Sequence, residues 1–196
     1  MDRTPAPGGR AGSARVAVMS DVEVQRAGRF DGVPPESVLV KWAEAVLESH
    51  RSGGAVTVRI VAEQESARLN ETYRGRLGKR GPTNVLAFPF DAPGGTPGDG
   101  ADRPGGEACE LPRILGDLVI CAPVLAREAA EQGMAPEAHW AHIVVHGILH
   151  LIGYDHAEPA EAETMEEEEA RALRRFGYPD PYSAERSSGP PLDSDR

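Results

Sequence analysis

Cysteine is nearly absent from this sequence: Cys109 and Cys121 are the only two, and they form no CxxC pair. That leaves no basis for a disulfide framework or a cysteine-ligated metal module, and both thiols read as buried hydrophobes. Long apolar runs are also missing. No stretch of about eighteen apolar residues occurs, and the opening MDRTPAPGGRAGSAR lacks the apolar centre of a signal peptide. A soluble, cytoplasmic protein without membrane contact is expected. Excess positive charge is the third absence. With 31 acidic against 21 basic residues the formal net charge is −10, which repels polyanions and excludes diffuse nucleic-acid binding over the whole surface. Contact with RNA would need a local patch, and Arg74, Arg76, Lys79 and Arg80 supply one candidate. The plainer reading of those four cations is a solvated loop that offsets nearby carboxylates.

The length of 196 residues and the 40% hydrophobic fraction suit one domain with tails, placed here at residues 15–182. Residues 1–14 and 183–196 contain too few bulky apolar side chains to offset ordering entropy and read as disordered tails. The stretch 92–106 (APGGTPGDGADRPGG) reads as a Gly/Pro-rich loop insertion inside the domain. Extended segments are expected at 16–19 with 22–24, at 56–62 (VTVRIVA), at 84–88 (NVLAF) and at 115–121 (LGDLVIC). Helical spacing of apolar residues marks 35–50, 63–73, 124–132, 136–152 and 158–176. Strands alternating with helices predict an α/β (α+β) fold, a small mixed sheet of about four strands covered by about five helices. In the last helix, Glu166 to Glu169 followed by Arg171, Arg174 and Arg175 suits the helix dipole and reads as a solvated face.

Histidine carries the chemistry. Four of the six histidines fall in the string His142-Ile-Val-Val-His146-Gly-Ile-Leu-His150-Leu-Ile-Gly153-Tyr-Asp-His156. Residues four apart on a helix share a face, so His146 and His150 can aim at one ion. Gly153 permits a left-handed helix end that turns the chain back, bringing His156 to the same point. Three neutral imidazoles are a good zinc set and leave a fourth tetrahedral position open, as catalytic sites do. A zinc site at the end of a central helix is therefore expected, with one Zn2+ per chain. His142, one turn earlier, reads as a supporting or core residue, and Asp155 as either an acceptor for a ligand histidine or a solvent-facing carboxylate.

The ligand spacing matches the zincin pattern HExxHxxGxxH, but Gly147 stands where metalloproteases place the glutamate that acts as general base. The string HGILHLIGYDH at 146–156 resembles the signature of the YbeY family of bacterial endoribonucleases. Two further blocks resemble that family in the same order: LNETYRGRLGKRGPTNVLAFPF at 69–90 and LGDLVIC at 115–121. The resemblance implies that His146, His150 and His156 bind zinc and that Arg74 is catalytic. It also implies a small α/β domain with a cleft holding the metal. The implied activity is metal-dependent cleavage of single-stranded RNA in maturation of the small-subunit (16S) ribosomal RNA 3′ end and in ribosome quality control. Single-stranded RNA, ribosomal RNA and the small ribosomal subunit are the implied partners, with no DNA. Three features differ from the usual family pattern: a longer 76–81 link without aspartate, Ala87 in place of serine, and the long insertion before LGD. Two competing readings stand beside this one, a metalloprotease opposed by Gly147 and a non-catalytic ribosome-associated module whose zinc only pins the helix end.

Overall fold

The computed structural model describes residues 19–78, 80–90 and 113–183. The expected tail at 1–14, the expected tail at 183–196 except Ser183, the start of the first extended segment at 16–18, the 92–106 insertion, Lys79 and Cys109 lie outside them.

Four strands form: β1 (Ser20–Arg26) and β2 (Gly54–Val61), along which burial alternates, and β3 (Val85–Pro89) and β4 (Ile114–Cys121), in which consecutive residues are buried on both faces. They form one sheet in the order β1-β2-β4-β3. β1, β2 and β4 run parallel, while β3 pairs antiparallel with β4 and forms an edge of the sheet. Helix α1 (Glu36–Ser49) makes the crossover between β1 and β2, burying Leu39, Trp42, Ala43, Val46 and Leu47 at three- and four-residue steps. Helix α2 (Glu63–Arg74) follows β2 and passes into a short 3-10 turn, Gly75–Leu77. Helices α3 (Ala122–Glu131), α4 (Pro136–Leu151) and α5 (Pro159–Phe176) complete the chain order, so the mixed sheet of four strands and five helices matches the expectation.

The two faces of the sheet bury different clusters. On one, Val58, Ile60, Leu118 and Ile120 pack with residues of α1, α4 and α5 in the main core. On the other, Val61, Leu86, Val119 and Cys121 pack with Val124 and with Leu69 and Phe88. Cys121 is fully buried and burial raises the pKa of its thiol, as befits a small hydrophobe. No helix among the described residues is long and apolar enough to cross a membrane.

Helix α4 is the central element. Trp140, Val144, Val145, Ile148 and Leu149 bury most of its circumference. At Gly147 it approaches the sheet so closely that an added Cβ would lie 2.1 Å from Leu118 Cδ1, and Leu118 is fully buried. A side chain there has no room without displacing the core. The fold thus supplies its own reason for glycine where a zincin carries glutamate. The side of α4 that remains carries His142, His146 and His150 at successive four-residue steps, all partly buried.

The acidic run in α5 departs from the expected solvated face. Glu166 to Glu168 keep some exposure, but Glu169 is 1% exposed. It lies in register with the buried Met165 and Leu173, four residues to either side, on the face of α5 turned to the core. The correction has a simple physical cause: an 18-residue amphipathic helix buries every fourth position, and partners on α4 await the carboxylate there.

Candidate metal centre

The last turn of α4 places His146 above His150, and the helix closes at Ile152 with Gly153 at φ +101°. That backbone conformation favours glycine and reverses the chain, with Tyr154 N–H donating back to the Leu149 carbonyl. His156 returns to the other two: its ring centroid lies 5.0 Å from His150 and 5.7 Å from His146. One ring nitrogen from each of the three lies within 4.8 Å of the others.

This donor set fits a tetrahedral metal. Two imidazole nitrogens sharing a zinc at about 2.0–2.1 Å stand about 3.3 Å apart. His146 Nε2 and His150 Nε2 are 3.2 Å apart. Their tautomers follow from their other ring nitrogens. His146 Nδ1–H donates to Glu169 Oε1 at 2.7 Å, and His150 Nδ1–H donates to the Tyr154 carbonyl at 2.9 Å. Neither acceptor can donate in return, so in the neutral rings both Nε2 atoms present lone pairs to each other, an arrangement that a cation between them relieves. Burial, followed by the proximity of His146, lowers the pKa of His150, which favours the neutral form a metal needs.

Glu169 is the residue that reading the sequence missed. Its carboxylate accepts from His146, from His142 Nε2–H at 3.0 Å and from the Tyr182 hydroxyl. Burial alone would raise its pKa, yet the hydrogen bonds from His142 and His146, with that of Tyr182, hold it at about 2. Glu169 therefore stays ionised and orients the His146 ring. His142 has the supporting position anticipated for it. Asp155 takes the solvent-facing alternative rather than accepting from a histidine ring. It is exposed and caps the backbone N–H of His156. The detectable signal for Glu169 was its four-residue spacing from Met165 and Leu173.

Substituting Glu169→Gln keeps the shape but removes the charge and one acceptor. Metal affinity is expected to fall about 10- to 100-fold, the usual effect of losing a carboxylate behind a ligand histidine. Competition titration against a chromophoric chelator measures it, with the melting temperature of the metal-free proteins as control. Unchanged affinity would remove Glu169 from any role at the site.

The three histidines open into a cleft of about 530 Å³. Its opposite wall carries Arg74, Thr83, Asn84, Ala87 and Pro89. Arg74 ends α2, and the preceding turns of that helix fix the wall. Ser66 Oγ both donates to the Thr83 carbonyl and accepts from Thr83 N–H, and Asn70 Nδ2 donates to the Gly81 carbonyl. Asn84 is held from behind, its amide donating to Glu128, which also accepts from the buried His139. Arg74 forms no ion pair with any described residue. Arg76 and Arg80, like Arg74 from the cation cluster, lie exposed in the following segment.

The family model described as endoribonuclease YbeY matches residues 32–177. The chain belongs to the endoribonuclease YbeY family. Endoribonuclease YbeY of Halorhodospira halophila is 52% identical over 165 residues, covering 84% of this chain and 98% of that protein. That of Methylococcus capsulatus is 53% identical over 164 residues, covering 84% and 96%. The Nitrosococcus oceani protein of the same name is 44% identical over 163 residues, covering 83% and 97%. The solution structure of TM1509 from Thermotoga maritima shares the fold at a TM-score of 0.53 and 22% identity, over 89% of this chain and 99% of that one. The family match at 32–177 spans both walls of the cleft.

Proposed function

We propose that this chain is a single-strand-specific, metal-dependent endoribonuclease of ribosomal RNA processing and ribosome quality control, acting in the cytoplasm on the 3′ end of small-subunit RNA. His146, His150 and His156 hold one Zn2+ and Arg74 is the catalytic arginine. The observation that carries this reading is the meeting, in one cleft, of three histidines on α4 and its turn with the Arg74 guanidinium at the end of α2, which forms no ion pair among the described residues.

A zinc ion in that position supplies Lewis-acid polarisation of a phosphoryl oxygen. The remaining work falls to the protein. Glu169 and the Tyr154 carbonyl fix the ligand tautomers, so no rearrangement is needed when substrate arrives. Arg74 faces the nonbridging oxygens, where phosphodiester cleavage accumulates negative charge, with donors suited to two oxygens at once. Gly147 argues against peptidase chemistry, because it offers no proton acceptor and the packing on Leu118 leaves no space for one. A purely structural metal fits less well: among the described residues no fourth ligand joins the cluster, and His156 is exposed to the cleft.

Incubation with single-stranded RNA, duplex RNA and casein tests the reading. Chelator-sensitive cleavage of the single strand is expected, with duplex and casein left intact. Chelator-sensitive casein hydrolysis with RNA untouched would overturn it.

A further inference from the structure

Two aromatic side chains stand exposed beside the cleft. Tyr73 is 64% exposed and Phe90 54%, in a chain whose aromatic content is only 5%. Leaving such rings in water is costly unless something covers them in use. Their placement is ordered. The Tyr73 ring packs edge-on against Phe88 with centroids 4.8 Å apart, so it rests on a support. Phe88 packs with the cluster on the face of the sheet away from Ala87 and Pro89, which line the cleft, and Phe90 follows the end of β3, its N–H donating to the Leu115 carbonyl.

The edge strand therefore separates the two features. The histidine cleft lies on one side of β3, and Tyr73 and Phe88 lie on the other. Arg74 follows Tyr73 directly and lines the cleft, linking the two sides. Arg76 and Arg80 add exposed cations in the next residues. Against a net charge of −10, this concentration of cations beside aromatic faces suits a polyanion that also carries flat rings. A peptide strand added to the edge of β3 would need neither the cations nor the rings.

We propose that Tyr73, seated on Phe88, is a stacking platform for one unpaired base of the RNA strand whose phosphate reaches Arg74. This deepens the endoribonuclease reading above and rests on it. The platform selects single strands because bases in a duplex are already stacked on their neighbours and cannot offer a free face. The backbone crosses the edge of β3, with Arg76 and Arg80 neutralising phosphates on the approach.

The test is single-turnover cleavage of a short single-stranded RNA by the zinc-loaded protein, across protein concentrations, for wild type, Tyr73→Ala and Tyr73→Phe. Tyr73→Ala is expected to raise the half-saturating concentration about tenfold or more, as loss of a base-stacking ring does, and Tyr73→Phe to restore it. RNAs with one abasic nucleotide at each position in turn supply the readout that a merely structural tyrosine would not move. At the position over the platform, the abasic change weakens wild type by a similar factor and weakens Tyr73→Ala no further. Equal half-saturation in wild type and Tyr73→Ala overturns the platform alone, as does a loss in Tyr73→Ala that adds to every abasic position. A wild-type protein that cleaves no RNA overturns the platform together with the reading on which it rests.

Discussion

Replacing Arg74 by alanine is expected to slow cleavage of single-stranded RNA by about a hundredfold or more, with melting temperature and metal content unchanged. The magnitude is that of losing a preorganised electrostatic stabiliser of a developing charge. The argument for a specific effect is geometric. Arg74 sits at the last position of α2, is only partly buried, forms no ion pair with a described residue, and lines the cleft opposite the histidines. The wall that carries it is held by Ser66 and Asn70 rather than by the arginine, so truncation leaves the helix and its loop in place. Arg74→Lys should recover only part of the rate, since an ammonium cannot span two phosphate oxygens as a planar guanidinium does. Full activity in Arg74→Ala would end the catalytic assignment, and parallel losses of rate and stability would make the residue structural.

Single substitutions of His146, His150 or His156 by alanine should each reduce bound metal from about one ion per chain to a small fraction of that, and abolish RNA cleavage with it. Metal analysis of dialysed protein gives the stoichiometry. Thermal unfolding supplies an independent readout. Free metal at about a hundred times its dissociation constant stabilises a folded chain by about 2.7 kcal/mol, or roughly 5–10 °C for a chain of this size. Wild type should show that rise over the chelated protein, and the three variants should not. The pair His146 and His150 is the more sensitive, because their Nε2 atoms already stand 3.2 Å apart with both outer nitrogens committed to hydrogen bonds. Full stoichiometry and a wild-type thermal shift in all three variants would mean that the ligands lie elsewhere.

Much of this protein was legible in one dimension. Alternation located β2, short apolar runs located the other described strands, and three- and four-residue spacing located the five described helices, because each reports how a local element meets apolar neighbours. The histidine string was legible for the same reason: His146, His150 and Gly153 lie within one helix and its exit, where local geometry fixes their relation. Glu169 was not legible in that way. Its place in a run of four glutamates resembles a solvated face, and nothing local says that α5 packs its buried side against His142 and His146.

By itself, then, the sequence determined the elements, the histidine set and the family blocks, all of which depend on residues close together in the chain or in fixed order. The tertiary structure alone decided which groups meet across long separations. It brings the end of α2 past the edge strand β3 to the cleft beside α4, so that Arg74 and His146, 72 positions apart by number, line one cleft. It seats Tyr73 against Phe88 on the far side of an edge strand and buries one glutamate out of four beneath the His146 ring. It also gives Gly147 its meaning, since only the approach of α4 to Leu118 shows that a side chain there would collide with the core. The physical reason is common to these cases: periodicity records how much of a side chain is hidden, whereas chemistry depends on what hides it, and that is set by packing between elements distant in sequence.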